Sequence, residues 1–137
     1  MISVTSVTDR YALQPAVLAK HKKTLEWLSA TVLWKRELAF FQKLLDRYAP
    51  SYSTENDKKK IDHFQSIITY YRDELINSLA TRLREHERKL AEALETRDET
   101  KTDYFKEHDT LMNELESLHD QVAQYKEELF AFIEEAM

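Results

Sequence analysis

The 137-residue sequence contains no glycine and no cysteine, and only two prolines. Average usage would supply roughly ten glycines in a chain of this length. Glycine serves where backbone must turn tightly at positive φ or pass close to a ligand. Its absence removes phosphate-cradling loops, the dinucleotide-binding fingerprint, the glycine-flanked nucleophile elbow and the EF-hand loop. Sheets are disfavoured too, because tight hairpins rely on Gly or Asn, and Asn occurs only as Asn56, Asn77 and Asn113. Without cysteine there is no disulfide, thiolate zinc site or cysteine nucleophile. No apolar run approaches the ~18–20 residues that span a bilayer. The first ten residues lack the basic and apolar regions of a secretion signal. A cytoplasmic protein without membrane contact is expected. The net charge of −5 argues against nucleic acid, which needs concentrated Lys and Arg.

What is there is helical pattern. Charged residues make up 33% of the chain and hydrophobic ones 42%, enough for a single domain with a real core. Residues 1–14 are β-branched and polar, and read as an irregular N-terminal arm. Pro15 suits a first helical position. A first helix is expected from about 15 to 48, ending before Pro50, because the residue before proline avoids the helical region. Ser53 or Thr54 is placed to cap a second helix of about 57–95. Its apolar face runs through Ile61, Phe64, Ile68, Tyr71, Leu75, Leu79, Leu83, His86, Leu90 and Leu94, with a stutter at Leu75–Leu83.

Nine residues without an apolar side chain follow, Glu95 to Asp103, and within them Thr96-x-x-Glu99 reads as a capping box. A third helix is expected over about 97–137. Its stripe, Tyr104, His108, Leu111, Leu115, Leu118, Val122, Tyr125, Leu129, Phe132 and Ala136, alternates steps of four and three without a break. Short connections make successive helices antiparallel neighbours. The expected fold is all-α: an antiparallel three-helix up-down-up bundle with long coiled-coil-like helices, one domain over 15–137. The rival, a continuous rod through 95–103, would set Arg97 and Thr100 on its seam and leave the capping box idle.

Charge is sorted between the helices. The first (15–48) has seven Lys/Arg against three Asp/Glu, or +4; the second (57–95) has eight of each; the third (100–137) has three against ten, or −7. A basic first helix beside an acidic third favours one register over others.

The first helix also carries more apolar surface than one packing face needs. Trp27, Ala30, Trp34, Leu38, Phe41, Leu45 and Tyr48 form the main stripe, widened by Leu33, Phe40 and Leu44. A second strip, Leu25, Leu28, Val32 and Ala39, lies well round the helix and is the expected interface of a two-fold homodimer. The alternatives are that the wide stripe sits between two neighbours of the same chain, or that the strip docks another protein.

Chemistry has few places to sit. His86 and His108 lie on the core faces of the second and third helices, each eleven residues from Arg97. A hairpin turning near Arg97 brings them into one layer, with His21 level with about residue 84. Three histidines from three helices make a candidate metal site, since zinc accepts three imidazoles and a water. Glu26, Glu85, Glu87 or Glu107 would serve as added or outer ligands. Only one Glu-x-x-His occurs, Glu116–His119, where carboxylate di-iron bundles use two. The structural reading of the same residues is a buried polar layer that fixes register; a pH switch is a third.

The stretch from His21 to about Lys89 resembles small, uncharacterised helical-bundle proteins of bacteria. The residues concerned are His21, Trp27-Leu28, Glu37, His63-Phe64-Gln65, Tyr71-Arg72 and His86-Glu87. The resemblance covers about half the chain and implies a helical bundle, with no activity attached. The expected function is a non-catalytic structural or protein–protein interaction module that self-associates, with no cofactor. The alternative is a metal-binding bundle using His21, His86 and His108, with zinc or another divalent ion.

Overall fold

The computed structural model describes residues 15–96 and 101–137. The expected N-terminal arm, and Arg97 to Thr100 with most of the capping box, lie outside the described residues. Four α-helices make three long rods: α1 (Pro15–Tyr48), α2 (Glu55–Tyr70) with α3 (Ile76–Thr96), and α4 (Lys101–Glu134). No strand occurs among the described residues, and none of their helices is long and apolar enough to cross a membrane. The chain is an all-α helical bundle.

Pro15 opens α1, where its missing N–H costs nothing. A short 3-10 turn, Ala49–Ser51, takes Pro50 within its first two positions. Thr54 then caps α2, its hydroxyl accepting from the Asp57 N–H, and Glu55 and Asp57 complement the positive end of the helix. The turn is tied down by Tyr52. Its ring stacks on Phe132 with centroids 4.4 Å apart, and its hydroxyl donates to the Phe132 carbonyl.

The second rod is not a regular helix. Residues Tyr71–Leu75 form a π-helical segment between α2 and α3. A π turn holds one residue more than an α turn. Buried positions therefore step five residues there, from Tyr71 to the fully buried Ile76, and then continue through Leu79, Ala80, Leu83, His86, Glu87, Leu90 and Ala93. Leu75, assigned to the core face from the sequence pattern, is only half-buried. A regular helix would drift its apolar face away from the core at this stutter; the extra residue brings it back.

Side-chain pairs fix how the rods align. From α1 to the second rod, Lys35 Nζ donates to Asn77 Oδ1 at 2.6 Å and His21 meets Glu87. From α3 to α4, Arg82 meets Glu114 and His86 meets Glu107. These contacts set α4 beside α3. Between α1 and α4, Lys20 lies 3.9 Å from Asp109 and Lys126 lies 2.8 Å from Glu37. The main core runs from Leu28 through Trp34, Leu38, Phe41 and Leu45, between Ile61–Leu83 and Leu111–Ile133. A smaller cluster, Val17, Leu90 and Tyr104, closes the far end. Between the two clusters sits the histidine layer.

Candidate functional site

Each rod sends a histidine into this layer. His86 of α3 is fully buried, and His108 of α4 and His21 of α1 nearly so. Each sits on the core face of an amphipathic helix where an aliphatic residue would otherwise stand. A buried polar ring needs partners, and all three have them.

His86 Nδ1 lies 2.7 Å from Glu107 Oε1, and its Nε2 lies 3.2 Å from His108 Nδ1. The other Glu107 oxygen accepts from Lys89 Nζ at 2.7 Å. An ionised carboxylate only accepts, so His86 Nδ1 carries the proton. Neutral His86 then offers Nε2 as an acceptor, and His108 donates to it from Nδ1. The result is one directed chain: Glu107, His86, His108. Tyr104 closes it from above, its ring parallel to His86 with centroids 4.2 Å apart.

On the α1 side, His21 Nδ1 meets Glu87 Oε1 at 2.5 Å, with both side chains buried. Thr24, also buried, donates its hydroxyl to the Lys20 carbonyl at 3.0 Å.

Burial dominates the electrostatics. It pushes His86 below the ordinary imidazole value, against the opposing pull of Glu107. His108 is pushed down to about 4, by burial first and then by His86 and Lys20, with Asp109 opposing. Burial alone would raise Glu107, but its hydrogen bonds from Lys89 and His86 outweigh that and leave it below the usual carboxylate range. The Tyr104 phenol is raised by burial and by Glu87, with Thr24 opposing. At neutral pH the layer therefore holds two uncharged imidazoles anchored to one carboxylate. A cleft of about 210 Å³, lined by Arg82, Glu85, Lys89, Glu107 and Leu111, reaches its carboxylate end.

His86 and His108 are thus in contact, and His21 lies in the same layer three residues further along α3 than the sequence spacing placed it. The His21–Glu87 pair centres the connection between the first two rods on Thr54 rather than near residue 52. The three rings do not converge on one point. His86 and His108 turn their facing nitrogens on each other, and His21 bonds Glu87. Among the described residues, no group of three or more His, Asp or Glu side chains is placed to hold a metal. Lys89, which holds the solvent end of the chain, carried no signal in the sequence that set it apart from the other charged residues around it.

The apolar strip assigned to a dimer is displaced. Leu28 is 4% exposed and belongs to the core. Leu25 packs against that core, and Val32 and Ala39 are half-buried. The side of α1 that carries His21, Leu28 and Lys35 faces α3, so this strip is covered by the chain itself. The large apolar side chains left in solvent on α1 are Leu33 and Phe40, 55% and 56% exposed. Phe130 of α4, 50% exposed, joins them: its ring meets Phe41 at 4.8 Å, and Phe41 meets Phe40 at 6.1 Å. Leu33 and Phe40, read from the sequence as widening the main stripe, are seven residues apart, a spacing that sets them on one side of the helix without saying which side meets solvent.

Comparison with protein-family models, with curated proteins and with solved structures finds no match to this chain.

Proposed function

We propose that this chain is a non-catalytic structural or protein–protein interaction module that associates with itself. We read its bundle as up-down-up. Residue numbers rise along α1 as they fall along α3 in the pairs Lys35–Asn77 and His21–Glu87, and rise together along α1 and α4 in Lys20–Asp109 and Glu37–Lys126.

The observation that carries this reading is the exposed cluster of Leu33, Phe40 and Phe130 on the α1–α4 seam. Among the described helices the other large hydrophobic exposed to this degree is Tyr70, away from this seam, and several such side chains gathered on one helical face signal a packing partner. The histidine layer fits the same role: buried polar groups that must meet in one arrangement specify register, at some cost in stability.

Size-exclusion chromatography with light scattering tests the proposal. The protein should run at twice its 16.3 kDa chain mass. A Leu33→Ser/Phe40→Ser variant should run at the single-chain mass with unchanged helical circular dichroism. A wild-type protein at the single-chain mass throughout the micromolar range would remove self-association.

A further inference from the structure

The outer face of the α1–α4 seam has a polarity across its width. Two contacts define the seam, Phe41 with Phe130 and Glu37 with Lys126. On the α1 side of it, Leu33, Phe40 and the half-buried Leu44 come first. Beyond them the same outward face carries Arg36, Lys43 and Arg47, all exposed. On the α4 side Phe130 and the half-buried Ala123 come first, and beyond them Glu116, Asp120, Glu127 and Glu134, all exposed. The face therefore reads basic, apolar, acidic from one edge to the other. None of Arg36, Lys43, Glu116, Asp120, Glu127 and Glu134 makes an ion pair with any described residue.

Such a face is complementary to itself under one operation. A two-fold axis lying in the face and running along the helices turns its left edge onto its right. The basic edge of one copy then lies on the acidic edge of the other, and the apolar centre lies on itself. A two-fold axis across the helices would instead set basic on basic and acidic on acidic. Like charges opposed in this way disfavour an arrangement, and unlike charges select it.

We infer that the partner of the Leu33–Phe40–Phe130 surface is a second copy of this chain. The two copies are related by a two-fold axis along the bundle, so that α1 of each packs in parallel beside α4 of the other. The inference rests on the self-association proposed above and adds which faces meet and why. The sorting of charge between the first and last helices then has a role between molecules. Within one chain α1 and α4 are joined by Glu37–Lys126, whose signs run opposite to the overall sorting, and by the longer Lys20–Asp109 pair at 3.9 Å, whose signs follow it.

Charge reversal tests this. Arg36→Glu/Lys43→Glu turns the basic edge acidic; Asp120→Lys/Glu127→Lys turns the acidic edge basic. All four positions are on the surface, and circular dichroism checks that each variant folds. Sedimentation velocity would compare wild type, each pair and the four-fold combination, at about 50 mM and about 500 mM salt, where screening lengths differ several-fold. Each pair should weaken dimerisation at least about tenfold at low salt. The combination, which swaps the edges, should restore it to within about threefold of wild type. The wild-type dimer should weaken as salt rises. A wild-type dimer indifferent to both pairs, or a combination no better than the pairs, would overturn the two-fold arrangement and leave self-association standing. A wild type that never dimerises would remove both.

Discussion

Two uncharged imidazoles in the core make the histidine layer sensitive to acid. An unfolded histidine titrates near 6.5, whereas folded His108 is held down to about 4 and His86 is also depressed. Between these values the unfolded chain binds protons that the folded chain refuses. The stabilisation is therefore complete above about pH 6.5 and is lost as pH falls toward 4. The melting temperature should drop by several degrees between pH 7 and pH 5, and a His86→Leu/His108→Leu variant should show a flatter profile. Equal slopes would remove the layer as the source. The two histidines should also act as a unit. His86→Leu alone leaves the His108 N–H buried without its acceptor, a loss of about 1–3 kcal/mol in urea unfolding. Adding His108→Leu should recover most of that, because apolar replacement of a whole buried polar set is often neutral or stabilising. A double variant as unstable as the sum of the singles would contradict the coupling. The meeting of His86 and His108 was legible in their equal distance from Arg97. The division of the layer into two separate chains, one ending on Glu107 and one on Glu87, was not. It depends on which rotamers and carboxylates face inward once the helices pack, and that has no signature in spacing.

The second rod shows how an element can depart from its period and still serve the core. The stutter near Leu75 was visible in the sequence, but its resolution was not. Leu75 and Ile76 are adjacent and both apolar, so pattern alone gives neither priority. The π segment decides for Ile76, because five steps from Tyr71 keep the face continuous. This predicts an asymmetry between deletions. Removing the exposed Glu74 takes out the extra residue, restores a regular helix and should leave a folded protein melting within a few degrees of wild type. Removing the equally exposed Glu85, inside regular α3, rotates Leu83 out of phase with His86 and should unfold the protein or lower its melting temperature by tens of degrees. Similar melting curves for the two deletions would contradict this account of the π segment. The helix ends, by contrast, were legible: Pro15, Pro50 and Thr54 act through local backbone chemistry that packing does not override.

At the scale of the whole molecule, the missing glycines and the 3.5-residue periodicities already fixed an all-α class. Which side of α1 stays in solvent was not fixed by them. Leu25, Leu28, Val32 and Ala39 form as good a stripe on paper as Leu33, Phe40 and Leu44, and only the positions of α3 and α4 around α1 choose between them. Once α3 covers the first strip, the second is left beside Phe130, flanked by charges of opposite sign that make no ion pair with any described residue. Self-association through this face is the proposed consequence of that arrangement. Sedimentation equilibrium of the untagged wild-type protein across the micromolar range is the most direct measurement. It should fit a reversible monomer–dimer equilibrium approaching twice the 16.3 kDa chain mass. A single-chain mass at every concentration would contradict it.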